Sequence, residues 1–145
     1  MSEYDLVVVG AGSGGVRAAR TASGFGAKVV IIEDRYLGGT CVNVGCVPKK
    51  LYVYSSGFGE ALVDAQGFGW HANKTTFSWE ILRDNKIKEI NRLNGIYEKL
   101  LSNSGAELID GRGSIVNSNA VKVGDRIIGT KQILIATGGW PRQPK

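Results

Sequence analysis

Gly10, Gly12 and Gly15 stand in a GxGxxG spacing between a short apolar run, Tyr4 to Val9, and an Ala- and Arg-rich segment. No other feature narrows the possible folds as far. The run before the glycines is nearly continuous and apolar, the pattern of a strand buried on both faces of a parallel sheet. Ser13 to Phe25 reads as a helix, stopped by Gly24 and Gly26. Lys28 to Glu33, with Val29, Val30, Ile31 and Ile32 inside it, reads as a second buried strand. The three pieces make a βαβ unit and predict an α/β fold built on a parallel sheet.

Each glycine of the spacing has its own task in a Rossmann-like dinucleotide site. Gly10 makes a tight turn off the strand, Gly12 lets backbone approach a pyrophosphate, and Gly15 lets helix pack closely on strand. The helix start offers N–H groups and a positive dipole end to phosphates, and Ser13 and Gly14 stand there. Glu33 ends the next strand about 20 residues on, where an acid meets a ribose hydroxyl. Glu33 and Asp34 together would repel a 2′-phosphate, which predicts FAD or NAD rather than NADP. Glycines at this spacing can also serve tight packing alone.

After Glu33 comes an irregular Gly-rich connection over 34–47. Pro48 suits the first turn of a helix, where its missing N–H costs nothing, and that helix should reach about Asp64. Gly67 and Gly69 mark a break. Ser78 can cap a long helix to about Ser102, with Trp79, Leu82, Ile87, Ile90, Leu93, Tyr97, Leu100 and Leu101 as its apolar stripe. Gly105 ends it. Then the period changes. Residues 107–109, 114–116, 120–123 and 126–128 read as short strands of a small antiparallel β-meander. Ile133 to Ala136 reads as a last buried strand, and 140–145 as a linker.

The 43% hydrophobic and 21% charged content describes an ordinary globule. The formal charge of +5 comes from Lys and Arg scattered among acids, so no nucleic-acid stripe is expected. The start is acidic and no stretch approaches the roughly 20 apolar residues of a membrane span, so neither a secretory leader nor a membrane segment is expected, and cytoplasm is the default.

The two cysteines, Cys41 and Cys46, both lie in Gly39-Thr40-Cys41-Val42-Asn43-Val44-Gly45-Cys46-Val47-Pro48-Lys49-Lys50. Structural disulfides are disfavoured in a reducing cytosol. Zinc would need about four ligands, and the chain adds only the distant His71. A redox-cycling pair is the best remaining role; two inert thiols stay open. On a straight helix the pair would be about 7.5 Å apart along the axis, beyond the reach of a disulfide, so the segment must be distorted. Asn43 and Gly45 tolerate such backbone. Lys49 and Lys50 could favour thiolate or simply face water.

These residues resemble the flavin disulfide reductases, the pyridine nucleotide–disulfide oxidoreductase family. The likeness spans the chain: the run into Gly10, the dithiol block, Arg92-Leu93-Asn94-Gly95-Ile96-Tyr97 and Ile133-Leu134-Ile135-Ala136-Thr137-Gly138-Gly139. Val47-Pro48-Lys49-Lys50 is similar to the branch that reduces glutathione disulfide, whereas dihydrolipoamide and mercuric branches usually carry Pro-Ser-Lys. Trypanothione and larger thioredoxin reductases share the Lys-Lys but usually have a longer insertion after the ribose acid.

The resemblance implies an FAD-binding domain. It implies that Cys41 is the interchange thiol that attacks glutathione disulfide. Cys46 would be the thiol against the flavin, and Lys49 the lysine near its reactive nitrogen. Gly10, Gly12, Ser13, Gly14, Gly15, Glu33, Thr40, Cys41, Lys49, Gly113, Thr137 and Gly138 are implied at the cofactor, Arg20 and Tyr97 at the substrate. Arg20 also reads as an exposed helix Arg, and Tyr97 as part of the apolar stripe. No metal is implied.

Family members are more than three times this long. The expected layout is therefore an N-terminal segment of the FAD domain: 1–38 the βαβ unit, 39–104 the dithiol and long helices, 105–139 the meander and last strand, 140–145 the linker. The NADPH-binding and dimer-interface domains of a homodimeric enzyme are expected elsewhere, and the segment alone is expected to be inactive. His71 lacks the carboxylate partner of the family's acid.

Overall fold

The computed structural model describes residues 3–71 and 75–144. Among the described residues six strands form one sheet in the order β3-β2-β1-β6-β5-β4. They are β1 (Tyr4–Val9), β2 (Val29–Glu33), β3 (Glu107–Asp110), β4 (Gly113–Asn117), β5 (Ala120–Val123) and β6 (Arg126–Ile135). Four α-helices accompany them: α1 (Ser13–Gly24), α2 (Gly39–Asn43), α3 (Cys46–Asp64) and α4 (Trp79–Ser104). The fold is the expected Rossmann-like α/β arrangement, a parallel sheet with a small antiparallel extension.

β1 is the centre. It runs parallel to β2 on one side and to β6 on the other, with Val8 opposite Ile31 and Leu134. Its apolar run is continuous because both faces are covered. Val7 and Val9 point one way and pack with Val30, Ile32, Val121, Val123 and Ile128. Val8 points the other way and packs with Val16 and Ala19 of α1, Ile31, and Leu101 of α4. Side chains alternate across a strand, so these two clusters are the two faces of the sheet. Helices cover one face and the meander curls over the other. Leu101 is 1% exposed, and burial on that scale stabilises by about 1.5–3 kcal/mol.

Two strand expectations need correction. Glu107 to Asp110 is not part of the meander: it lies parallel to β2 at the sheet edge, with Val30 opposite Glu107. The reason is the element before it. α4 is a crossover helix, and a chain returning through one pairs in parallel. Four residues show no periodicity that could reveal this. The runs at 126–128 and 133–136 are one strand, β6. Its first part pairs antiparallel with β5 and its later part parallel with β1. Nothing breaks the chain between them, and the buried Thr130 satisfies its hydroxyl on the Gln132 carbonyl at 2.9 Å. The end of β6 is also less buried than expected, with Leu134 and Ile135 exposed.

The long helix starts and stops as its caps dictate. The Ser78 hydroxyl accepts the Ile81 N–H at 3.3 Å, and Gly105 ends α4 at φ 81°. Of the apolar stripe, Ile90 and Leu101 are buried, whereas Trp79 and Ile87 are exposed. The first turns of α4 reach past the sheet and meet α3 instead, where Trp79 stacks on Tyr52 at 5.4 Å. Residues 139–144 carry no regular structure.

Candidate active site

The turn from β1 into α1 is held by close backbone approaches. Gly10 has φ 105°, and a Cβ there would lie 2.4 Å from the Ala136 carbonyl oxygen. A Cβ on Gly15 would lie 1.8 Å from the Gly10 carbonyl oxygen, so helix and strand meet closer than any side chain permits. Gly12 differs. Its Cβ would meet nothing nearer than the Gly39 Cα at 3.7 Å, leaving its face toward the cleft open. Ser13 and Gly14 are exposed at the start of α1.

Glu33 is tied into the same turn. One carboxylate oxygen accepts the Ala11 N–H at 2.7 Å; the other accepts the N–H groups of Arg35 and Tyr36 at 2.9 and 3.1 Å. The acid thus clips the glycine turn to the loop after β2. An ionised carboxylate offers about four acceptor positions, so one remains for a ligand hydroxyl.

Gly10, Gly12, Glu33, Thr40, Gly113, Thr137 and Gly138 all line one cleft of about 300 Å³ at the carboxyl ends of β1, β2 and β6. That is where open α/β sheets bind ligands. Sequence reasoning missed other lining residues, among them Arg35, Tyr36, Gly39, Arg112 and Trp140. Gly39 carried a signal, since it follows Gly38 and both adopt left-handed φ. Arg112 and Trp140 carried none. The Arg35 guanidinium lies 4.3 Å from the centre of the Trp140 ring. Arg112 stands 3.9 Å from Asp34 and partly offsets its charge.

The dithiol segment is distorted, but not within one helix. Cys41 lies in α2 and Cys46 is the first residue of α3, and the break falls at Val44 and Gly45. A Cβ on Gly45 would come 2.9 Å from the Thr40 carbonyl oxygen and 3.3 Å from the Cys41 Cα. Glycine here lets the start of α3 fold back onto α2. Both thiols are free, Cys41 half-buried and Cys46 exposed. The Cys46 side chain is the larger influence holding the Cys41 thiol above its ordinary range, and burial adds to this. The Cys46 backbone N–H and the Lys49 charge pull it down less. Pro48 is buried in the first turn of α3, and Lys49 is exposed.

Arg20 is exposed on α1, and Tyr97, on the packed neighbour α4, is half-buried against the core. His71 is exposed. Among the described residues no cluster of potential metal ligands occurs, and no helix is long and apolar enough to cross a membrane.

The sequence profile of one family, described as pyridine nucleotide-disulphide oxidoreductase, matches residues 4–145. A protein named glutathione reductase from Burkholderia cepacia is 51% identical over 142 residues, covering 98% of this chain and 32% of that protein. One of the same name from a Nostoc species is 46% identical, covering 99% and 31%. The chloroplastic/mitochondrial glutathione reductase of Pisum sativum is 44% identical, covering 98% and 28%. The chain thus spans about a third of the length of these relatives. With its whole length from Tyr4 onward inside the family profile, the chain belongs to the pyridine nucleotide-disulphide oxidoreductase family.

Proposed function

We propose that this chain is the FAD- and dithiol-carrying portion of an NADPH-dependent reductase of glutathione disulfide. The observation that carries the proposal is the placing of Cys41 and Cys46 on either side of the close α2–α3 break at Gly45, beside a glycine-lined cleft that includes Glu33. The names of the relatives favour glutathione disulfide over trypanothione, thioredoxin, lipoamide or mercuric ion.

The residues present suit FAD. Gly12 leaves an open face where a pyrophosphate needs backbone, and Glu33 keeps an acceptor for a ribose hydroxyl. Gly10, Gly12, Ser13, Gly14, Gly15, Thr40, Gly113, Thr137 and Gly138 would hold the cofactor, with Lys49 near its reacting ring. FAD supplies two-electron chemistry between a nicotinamide and a disulfide. The NADPH site and the surface of a homodimer are proposed to lie outside these residues.

The chain's own part is thiol–disulfide exchange. The Cys41 thiolate attacks one sulfur of glutathione disulfide, and one glutathione leaves as thiolate. Cys46 then attacks Cys41 in the mixed disulfide. The second glutathione leaves, and a Cys41–Cys46 disulfide remains. Two electrons have passed to glutathione. Arg20 and Tyr97 would hold the substrate. The exposure of Cys46 is the surface that a flavin ring would cover. A cytoplasmic location fits this chemistry.

The test is NADPH oxidation by the full-length protein with glutathione disulfide, trypanothione disulfide, lipoamide and oxidised thioredoxin as alternatives. Preference for glutathione disulfide supports the proposal; preference for another disulfide moves the chain to another branch.

A further inference from the structure

Two asparagine amides lock the dithiol segment onto α4. Asn43 sits between the two cysteines. Its Nδ2 donates to the Leu37 carbonyl at 3.0 Å and to the Gly39 carbonyl at 2.9 Å. Asn94, 51 positions on, donates from its own Nδ2 to the same Leu37 carbonyl at 2.7 Å and to Asn43 Oδ1 at 3.1 Å. Both side chains are half-buried. The four bonds tie α4, the turn at Gly38 and Gly39, and α2 into one unit.

We propose that Asn94 is a positioning residue for the redox dithiol, acting through Asn43. The inference rests on the reading of Cys41 and Cys46 as a redox pair. α2 has only five residues, too few to hold its place by itself. Its orientation sets where Cys41 stands relative to Cys46, and α3 begins from a separate break at Gly45. Anchoring α2 raises the effective concentration of one thiol at the other. That favours the disulfide when each sulfur gives up one proton and one electron.

The bonds also specify which substitutions hurt. Asn94→Ala removes both donors. Asn94→Asp keeps the shape but turns a carboxylate toward two acceptor oxygens, Leu37 O and Asn43 Oδ1. A packing role would make the isostere the milder change; a hydrogen-bonding role makes it the harsher one.

The experiment equilibrates the full-length protein with glutathione redox buffers. Glutathione disulfide takes up the two electrons and two protons. The reduced fraction is read by alkylation and the mass of the peptide spanning 41–46. Asn94→Ala should leave the disulfide about tenfold less favoured, a shift of about 30 mV toward easier reduction. Asn94→Asp should shift further. Asn91→Ala, an exposed position on the same helix, should leave the midpoint unchanged. Wild-type midpoints in both Asn94 variants, or a smaller shift in Asn94→Asp than in Asn94→Ala, would overturn the inference. A wild-type protein with no reducible Cys41–Cys46 bond would instead sink the redox reading on which it rests. Asn94→Ala leaves a small half-buried gap, so it keeps the test open if Asn94→Asp does not fold.

Discussion

The Glu33 carboxylate accepts the backbone N–H of Ala11 at 2.7 Å, joining the end of β2 to the turn that leaves β1. With the Arg35 and Tyr36 N–H groups on its other oxygen, Glu33 helps to hold the shape of the cleft through the protein's own backbone. Glu33→Ala should therefore act twice. It should weaken FAD binding by the full-length protein by about 1–3 kcal/mol, the scale of a lost charged hydrogen bond. It should also lower the melting temperature of the FAD-free protein, because three backbone donors lose their acceptor. Flavin fluorescence titration and thermal melting check the two effects. Unchanged affinity would take Glu33 out of the site.

Gly45 and Gly59 make a contrasting pair in and beside one helix. A Cβ on Gly45 collides with backbone of α2, whereas one on Gly59, inside α3, meets nothing within 4 Å. Gly45→Ala should destabilise by about 1–3 kcal/mol through overpacking. Gly59→Ala should stabilise by about 0.5–1 kcal/mol through its better helix propensity. Denaturant unfolding reads both. Equal effects would mean that the break between α2 and α3 does not depend on Gly45.

The βαβ unit was legible because three local signals agreed: a doubly apolar strand, glycines at fixed spacing and a terminal acid. The cap of α4 was legible for a similar reason, since Ser78 and Gly105 act on their immediate neighbours. What stayed hidden depends on distant parts of the chain. The direction of β3 is set by the crossover through α4, not by Glu107 to Asp110. The continuity of β6 depends on its having different partners along its two halves. The lining role of Trp140 comes from a cation–π contact with Arg35, 105 positions away by number and invisible to any local pattern. The same holds for the pairing of Asn94 with Asn43.

Cys41 offers a pH test. The Cys46 side chain raises its pKa first and burial adds to the rise. Removing the larger cause in Cys46→Ala should move the alkylation midpoint of Cys41 down toward the ordinary thiol range and speed its reaction with iodoacetamide at neutral pH. The raised value also has a sign for stability. The folded protein keeps the Cys41 proton longer than the unfolded chain, so this contribution is whole below the unfolded pKa and is lost as pH rises through the folded one. A midpoint that stays put or rises in Cys46→Ala would show that the thiols do not interact in solution.

Cys41 and Cys46 are proposed as a redox pair with different tasks, one thiol meeting substrate and the other the flavin. In this chain Cys46 is the exposed thiol and Cys41 the half-buried one, so exposure alone would assign the tasks the other way round. Absorption spectra of the two single variants in the full-length, FAD-loaded protein decide between them. Cys41→Ser should keep a long-wavelength charge-transfer band that grows as Cys46 ionises. Cys46→Ser should lack the band while Cys41 remains open to alkylation, and neither variant should reduce glutathione disulfide. A band that survives in Cys46→Ser and vanishes in Cys41→Ser would reverse the assignment; no band in either variant would contradict the placement of this dithiol at a flavin.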